Sequence, residues 1–283
     1  MTEPPLDPGL YRETVRRALA EDLGWGDATT LAVVPADARA TGVFIARADM
    51  ILAGLEVALE AFRQLDPAVA VEAWRSDGDR CRAADSIAAV TGLAAPMLTA
   101  ERTALNFLRH LSGVASATRR LADAAGGAVR IAGTRSTLPL LRVLQQYAVR
   151  VGGGLGGRAS LDEAMVVTAN HARAAGGVGM AVARARSAAG GRPIQAAVTT
   201  AAAAEEAVSA GADVLVYVGT LEDELDRLVS LCAGRVRLTA TGRLPAERAA
   251  TAAGAQAAVS AVLVESITDS APAADISFEL RTS

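Results

Sequence analysis

The chain has 283 residues, of which 51% are hydrophobic and only 3% aromatic, and its formal net charge is −3. This composition allows a sizeable core of small side chains. It argues against nucleic-acid binding, which needs a basic patch and usually stacking aromatic residues. No stretch of about 18 residues is both strongly apolar and free of charge, so no membrane-spanning helix is expected.

The predicted elements of the first third mix helices and strands. In chain order they are a helix over 10–23, a strand over 41–46, a helix over 55–65, a strand over 69–74 and a long helical stretch over 98–124. Ser112 and Gly113 are expected to break that last stretch into two helices, because glycine is a weak helix former.

From Val129 onward, short β-like runs alternate with alanine-rich helical segments. The predicted strands cover 129–132, 165–168, 179–182, 194–198, 214–218, 236–238 and 262–264. The predicted helices cover 140–150, 161–164, 172–175, 201–210 and 245–253. Such alternation implies a parallel sheet covered by helices, in either an α/β barrel or a doubly wound sheet. In both folds, ligand-binding groups lie just after the strands.

Lysine is absent from the chain, and all 28 of its Lys and Arg residues are arginine. Arginine is a permanently charged planar fork that suits carboxylates and phosphates, whereas lysine is the residue whose pKa is tuned for proton transfer. A site in this chain can therefore bind an anion through arginine, but it cannot use a lysine for proton transfer. A GC-rich genome is an equally good explanation of the bias itself.

The two cysteines, Cys81 and Cys232, are isolated and lack metal-ligand spacing. We expect them to be reduced thiols in a cytoplasmic protein, since the acidic, proline-rich start is unlike a signal peptide. No cluster of His, Cys, Asp and Glu has the spacing of a metal site, so no metal ligand is assigned.

Two segments suit an anionic ligand. Residues 133–137 read Gly-Thr-Arg-Ser-Thr and follow a predicted strand, so hydroxyls flank Arg135 at a strand end. Residues 152–157 contain five glycines and precede Arg158, which indicates a sharp bend or a close approach near an anion. Each segment also has an interpretation without a ligand. The first would be a polar loop after a strand, with its hydroxyls in solvent, and the second would be a flexible connector between a helix and a strand. The glycine run has neither the Walker nor the Rossmann pattern.

Two further candidate residues, Arg102 and His171, have an alternative role without a ligand, and that role is the more common one for such residues. Arg102 lies on a predicted helix, where an exposed arginine is most often part of a surface network. His171 follows the strand predicted at 165–168, and a lone histidine is more often structural than a ligand; His110 is read as structural.

Several segments together resemble the quinolinate phosphoribosyltransferase family, also called nicotinate-nucleotide pyrophosphorylase (carboxylating). They are residues 21–30, 98–108, 111–115, 147–154 and 270–277. The resemblance implies an α/β fold of type II phosphoribosyltransferase architecture. Residues 1–113 with 268–283 would form an N-terminal α/β sandwich completed by the C-terminal tail, and residues 114–267 an open, incomplete α/β barrel. It also implies a homodimer in which Arg102 reaches the neighbouring subunit's site.

In that family, arginines hold the two carboxylates of quinolinate. The pyridine nitrogen attacks phosphoribosyl pyrophosphate as Mg²⁺-bound pyrophosphate leaves, and a ring carboxylate is lost as CO₂. The resemblance therefore implies a small anionic aromatic acid as substrate, with Mg²⁺ only if phosphoribosyl pyrophosphate is used. The implied substrate contacts are Arg102, Thr134, Arg135, Ser136, Arg158 and Thr168, and the implied phosphate contacts are Thr241, Gly242 and Arg243.

The chain departs from the family pattern where the phosphoribosyl donor would be held. Ser136 and Thr168 stand where the family places lysines, and the strand predicted over 194–198 lacks the family's glutamate. Val218 lies in the turn where an aspartate is expected, and Glu265 stands where the family has a small glycine. Because acids that would hold Mg²⁺ and ribose are missing, we expect the standard activity to be lost or altered.

Three functions stay open. The first, ranked slightly ahead, is a divergent phosphoribosyltransferase. The second is a repurposed enzyme that decarboxylates or rearranges an anionic small molecule without phosphoribosyl pyrophosphate, with His171 or Tyr217 as acid–base candidates. The third is a non-catalytic paralogue that binds a competent relative. The sequence does not name the acid.

Overall fold

The computed structural model describes residues 3–219, 222–232, 234–241 and 259–282. The chain divides into two compact units. The first comprises Met1–Arg119, Thr137–Gly153 and Ser266–Ser283, and the second comprises Arg120–Ser136 and Gly154–Glu265. This division assigns the segment from Thr137 to Gly153 to the first unit. The domain boundaries expected from the sequence, 1–113 with 268–283 and 114–267, stay a prediction.

The helices and strands alternate along most of the described chain. The helices are α1 (Arg12–Leu23), α2 (Ala28–Val33), α3 (Leu55–Leu65), α4 (Ala94–Ala125), α5 (Arg142–Val151), α6 (Ala169–Ala175), α7 (Val178–Ala188), α8 (Ala201–Ser209), α9 (Glu222–Cys232) and α10 (Ser266–Asp269). The strands are β1 (Arg39–Ala46), β2 (Met50–Ile51), β3 (Ala70–Ala73), β4 (Arg80–Cys81), β5 (Ser86–Leu93), β6 (Arg130–Ala132), β7 (Met165–Val167), β8 (Ile194–Val198), β9 (Val214–Val218), β10 (Arg237–Thr241), β11 (Val259–Leu263) and β12 (Ile276–Thr282).

The first unit is built on a four-stranded antiparallel sheet in the order β12-β1-β5-β3. Phe44 of β1 pairs with Phe278 of β12, and the two ring centroids lie 4.8 Å apart. Phe62 of α3 contacts both rings, at 5.9 and 5.4 Å, so α3 packs on the face of this sheet. The C-terminal tail therefore completes the N-terminal sheet, as the resemblance implied.

Helix α4 runs without a break through Ser112 and Gly113, so the predicted break there is wrong. The Ser112 hydroxyl accepts a hydrogen bond from the backbone N–H of Ala53, at 3.0 Å. A Cβ added at Gly113 would overlap the backbone carbonyl of Pro272. Gly113 is thus placed where the tail approaches the helix closely, and the helix continues because its other residues favour it.

The second unit is built on a six-stranded parallel sheet in the order β6-β11-β10-β9-β8-β7. The first two strands in sequence, β6 and β7, form its two edges, which gives the open α/β barrel predicted for this part of the chain. On one face of the sheet, Leu215, Tyr217 and Leu238 are fully buried. Alternation along parallel strands places their neighbours on the opposite face.

Two predicted elements of the second unit are wrong. Residues 179–182, predicted as a strand, belong to α7, because the buried Val178, Ala181 and Val182 follow helical spacing. Residues 161–164, predicted as a helix, form a series of bends. The predicted helix over 245–253 lies outside the described residues.

Both cysteines are buried and free, as expected. Burial raises the pKa of Cys81 to about 11, so its thiol stays protonated and unreactive at neutral pH. Within the described ranges, no helix combines the length and the apolar character needed to cross a membrane.

Candidate functional site

The predicted site residues of the second unit lie at the carboxyl ends of its strands. Thr134, Arg135 and Ser136 follow β6, Thr168 follows β7, and Thr241 is the last residue of β10. Because parallel strands end at the same edge of a sheet, the fold places all five along one edge. Gly242 and Arg243, the other predicted phosphate contacts, lie outside the described residues.

A hydrogen-bonded turn shapes the loop after β6. The backbone N–H of Ser136 donates to the Thr134 hydroxyl at 3.0 Å, and the Ser136 hydroxyl donates to the Glu265 carboxylate at 3.0 Å. Glu265 follows β11, the neighbour of β6 in the sheet. Arg135 is exposed between the two hydroxyl residues. The carboxyl ends of β6 and β11 are therefore followed by loops that carry a cation, Arg135, and an anion, Glu265.

The end of the glycine run lies alongside the edge strand. Leu155 donates to the Ile131 carbonyl at 2.7 Å and accepts from the Gly133 N–H at 2.8 Å, so it extends the sheet by one parallel bridge. A Cβ added at Gly157 would stand 2.7 Å from the Gly133 carbonyl oxygen. Glycine is required there because two backbones meet, and this close approach was one of the interpretations predicted from the sequence.

Arg158 is half-buried directly after this segment. Its Nη1 donates to the backbone carbonyls of Ala164, at 2.5 Å, and Leu161, at 3.4 Å. These bonds explain why residues 161–164 are not helical, because the carbonyls point to the guanidinium. The same bonds fix the position of one predicted clamp arginine just before β7.

Thr168 and His171 form a capping box at the start of α6. The His171 Nδ1 lies 2.8 Å from the Thr168 hydroxyl and 3.2 Å from the Thr168 backbone nitrogen, which donates to it. Nδ1 is therefore the accepting nitrogen, and Nε2 carries the proton of the neutral ring. Both side chains are exposed. This capping role was not predicted from the sequence.

Tyr217 lies in β9 and is only 1% exposed. Its hydroxyl reaches back over the strand end, where a Cβ added at Gly219 would overlap it. It lies on the buried face with Leu215, opposite the face that Val216 and Val218 share.

The more open face of the sheet carries no charge toward its carboxyl ends among the described residues. Ala197, Val216 and Thr239 are in register on β8, β9 and β10, and Val218 pairs with Thr241 one step further along. Val218 is 40% exposed. In the parts of the chain that the structure describes, no group of three or more His, Cys, Asp or Glu side chains is suited to hold a metal ion.

Arg102 belongs to the first unit, where it is exposed on α4. Next to it, burial raises the pKa of Glu101, although the Arg102 charge opposes the shift. Sequence reasoning missed a cavity of about 620 Å³ in this unit, lined by α1, α4 and the turn at Pro139, Leu140 and Leu141.

His110 lies in the wall of this cavity and is hydrogen-bonded. Its Nε2 is 2.9 Å from the side-chain nitrogen of Gln145, whose oxygen accepts from the Leu138 N–H at 2.9 Å. Gln145 also donates to the Thr268 carbonyl. Burial lowers the pKa of His110, so the neutral ring is favoured. These contacts agree with the structural role predicted for His110.

Two protein-family models match the chain. The N-terminal domain of quinolinate phosphoribosyl transferase matches residues 27–112, and its C-terminal domain matches residues 114–279. Together the two models cover nearly every residue from 27 to 279.

Curated relatives and solved structures lead to the same family. The nicotinate-nucleotide pyrophosphorylase [carboxylating] of Mycobacterium leprae is 43% identical over 174 residues, which are 59% of this chain and 60% of that protein. A quinolinate phosphoribosyltransferase [decarboxylating] of Nicotiana tabacum is 39% identical over 182 residues, 64% of this chain and 52% of that protein. The matches thus span only about half to three fifths of these relatives' length.

Solved structures also match over nearly the whole chain, and two of them illustrate this. NadC from Streptococcus pyogenes is 34% identical with a TM-score of 0.92, and 99% of each chain is covered. The nicotinate-nucleotide pyrophosphorylase from Francisella tularensis is 30% identical with a TM-score of 0.88, again with 99% of each chain covered.

Proposed function

Because the chain belongs to the quinolinate phosphoribosyltransferase family, we propose that it binds an aromatic or heteroaromatic carboxylate at the carboxyl-end edge of its six-stranded sheet. The observation that carries this proposal is the placement of exposed Arg135 between the hydroxyls of Thr134 and Ser136 at that edge. A guanidinium can bind a carboxylate through two parallel hydrogen bonds, and the adjacent Thr134 hydroxyl can add a donor.

Two further arginines complete the proposed clamp. Arg158 is oriented by its bonds to the carbonyls of Leu161 and Ala164, which lowers the entropy lost when it binds a ligand. Arg102 would come from the neighbouring subunit of a homodimer, as the resemblance implies. Thr168, directly after β7, would be a further contact to the bound acid. We place this protein in the cytoplasm as part of the same proposal.

We propose that phosphoribosyl transfer, the chemistry of this family of enzymes, is weak in this chain. Mg²⁺ would serve there to neutralise the leaving pyrophosphate, and it prefers carboxylate oxygens. The described open face offers Ala197 and Val218 near the strand ends, which supply no such oxygen. These described residues therefore do not fit a resident Mg²⁺ at that face. Loss of one such electrostatic contact commonly lowers the rate by about 10²- to 10³-fold.

A second candidate is a reaction on the bound acid alone, such as decarboxylation or rearrangement. The described part of the open face carries no charge near the strand ends, and His171 is exposed just after β7; both observations favour this candidate. His171 would exchange protons through Nε2, because Nδ1 is taken by Thr168. We do not assign Tyr217 to this role, since its side chain lies on the buried face.

The clamp is tested by titrating quinolinate and a panel of other aromatic acids into Arg135→Ala and Arg135→Lys. The bidentate contact should be lost in both variants, so we expect affinity to fall by about 10- to 100-fold in Arg135→Ala and by less in Arg135→Lys. Arg120→Ala, an exposed arginine of the same unit, is the matched control and should bind as the parent does. Equal affinity of parent and Arg135→Ala for every acid that binds would contradict the proposal.

The reaction class is tested by pyrophosphate release. Detectable release from phosphoribosyl pyrophosphate in the presence of an aromatic acid supports transfer, and inertness across the panel excludes it. Turnover of the acid without the donor would support the second candidate. Co-purification with a complete relative, without intrinsic turnover, would indicate the non-catalytic role.

A further inference from the structure

We infer that the cavity of about 620 Å³ between α1, α4 and the turn at 139–141 is a second ligand site, which binds a small organic amine with an apolar body. Its volume is typical of pockets that hold a small molecule. All of its lining residues belong to the first unit, whereas the proposed acid site lies on the sheet of the second. The inference therefore goes beyond the proposed function and does not depend on it.

One wall of the cavity is a single face of α4. Thr103, Asn106, Phe107 and His110 recur with helical spacing, so their side chains project on the same side of the helix. Phe107 and the turn at 139–141 supply apolar surface for the body of a ligand, and Asn106 and His110 supply polar groups that can orient it. Burial lowers the pKa of His110, so its ring stays neutral and adds no positive charge to the wall.

Leu140 is held in an unusual conformation where it lines the cavity. Its φ is +65°, in the left-handed region that leucine rarely adopts, and its side chain is 80% exposed. Such strain is found most often at binding sites, where the surrounding structure maintains it. Here the strained backbone presents an apolar side chain that the described protein does not cover. A bound apolar group would cover it.

The C-terminal end of α1 gives the cavity a preference for a cation. Glu21 and Asp22 line the cavity from the last turn of this helix, which contains no basic residue. The helix dipole places partial negative charge at the same end, so it and the two carboxylates attract an ammonium group together. Asp22 accepts a hydrogen bond from the Thr103 hydroxyl at 3.1 Å, and both acidic side chains are exposed and accessible to a ligand.

The arginines close to this wall do not cancel its negative charge. Arg17 lines the cavity, but its Nε donates to the Glu13 carboxylate at 2.8 Å. Arg16 donates to the same carboxylate through two nitrogens, each at 2.7 Å. These three residues together carry one positive charge, against the two negative charges of Glu21 and Asp22. The group therefore keeps a net negative charge, and its guanidinium groups are held on Glu13.

Glu21→Gln tests the cation preference, because it removes one charge and keeps the shape of the side chain. The matched control is Glu205→Gln, the same change at an exposed position of α8 in the second unit. Benzylamine, phenethylamine and tryptamine are titrated into the intact protein beside neutral 2-phenylethanol, with ligand-observed NMR as the readout. We expect the parent and Glu205→Gln to bind at least one amine more tightly than the alcohol, and Glu21→Gln to bind that amine about fivefold more weakly. No amine binding in the parent, or equal affinity in Glu21→Gln, would overturn the inference.

Variants of Leu140 and Arg135 test where the amine binds. Leu140→Ala and Leu140→Gly both remove the apolar contact, so both should bind the amine about threefold or more weakly. Leu140→Gly should be the more stable of the two in chemical denaturation, because glycine adopts a positive φ without strain. Arg135→Ala, which removes the proposed acid clamp, should bind the amine as the parent does. Unchanged amine affinity in both Leu140 variants, or its loss in Arg135→Ala, would overturn the inference.

Discussion

Gly157 lies against the backbone of Gly133, so closely that a Cβ at position 157 would stand 2.7 Å from the Gly133 carbonyl oxygen and 3.1 Å from that of Thr134. The obstacle is backbone of the loop that bears Arg135, which cannot move aside as a flexible side chain would. The shape of that loop therefore depends on a glycine that is distant in sequence.

Gly157→Ala should disturb the arginine loop as well as stability. We expect the free energy of unfolding to fall by about 1–3 kcal/mol, because the methyl group must displace backbone. Aromatic acid affinity should fall with it. Chemical denaturation and ligand titration measure the two effects.

Gly179→Ala is the matched control for that change. Gly179 lies in α7, and its nearest neighbour would be the Glu206 Cβ at an ordinary 3.6 Å. This variant should be unchanged or more stable by about 0.5 kcal/mol, since alanine favours helix. If both glycine variants were equally stable, the close approach at Gly157 would not matter.

The lowered pKa of His110 predicts a loss of stability in mild acid. Unfolding restores the ordinary value near 6.5, so the unfolded chain binds the proton more readily. Stability should therefore be complete above pH 6.5 and should decrease as the pH falls toward the folded-state pKa. Protonation would also set the His110 Nε2 against the Gln145 amide donor.

His110→Asn should flatten this pH dependence, measured as the free energy of unfolding between pH 7.5 and 5.5. His171→Asn, the change at the other histidine, should keep the decrease seen in the parent. A decrease that is equally steep in His110→Asn would show that other groups cause it.

Tyr147→Phe tests a contact that holds α3 in the first unit. The Tyr147 hydroxyl donates to Asp77 at 2.8 Å, and Asp77 accepts from the N–H groups of Gly54 and Leu55 at the start of α3. Removing a hydrogen bond to a charged acceptor should cost about 1.5–3 kcal/mol. Thermal and urea unfolding measure it, with Tyr11→Phe as the matched change. A cost no larger than that of Tyr11→Phe would contradict the assigned role.

Strands β8 and β9 were predictable to the residue from the sequence. Both are short apolar runs with turn residues on either side, the pattern of parallel strands buried within a sheet. Helix α3 was predictable for a similar reason, because its apolar residues repeat with helical spacing. Local periodicity carried enough information for these elements.

Other features depend on distant parts of the chain and were not predictable locally. Gly113 indicates a helix break unless the approach of Pro272 is known. The Ser136–Glu265 bond requires the sheet order, which places the last strand of the second unit beside its first. The strand-end rule led to the candidate residues that follow β6 and β7, whereas their hydrogen-bond partners could be read only from the folded chain.

The most direct test of the proposed function is calorimetry of the intact protein with quinolinate and phosphoribosyl pyrophosphate, each added separately, with and without Mg²⁺. Other aromatic carboxylates are included in case quinolinate itself is not the acid. We expect measurable binding of at least one aromatic carboxylate and weak or undetectable binding of the phosphoribosyl donor. Tight, Mg²⁺-dependent binding of phosphoribosyl pyrophosphate, with no binding of any aromatic acid alone, would contradict this account.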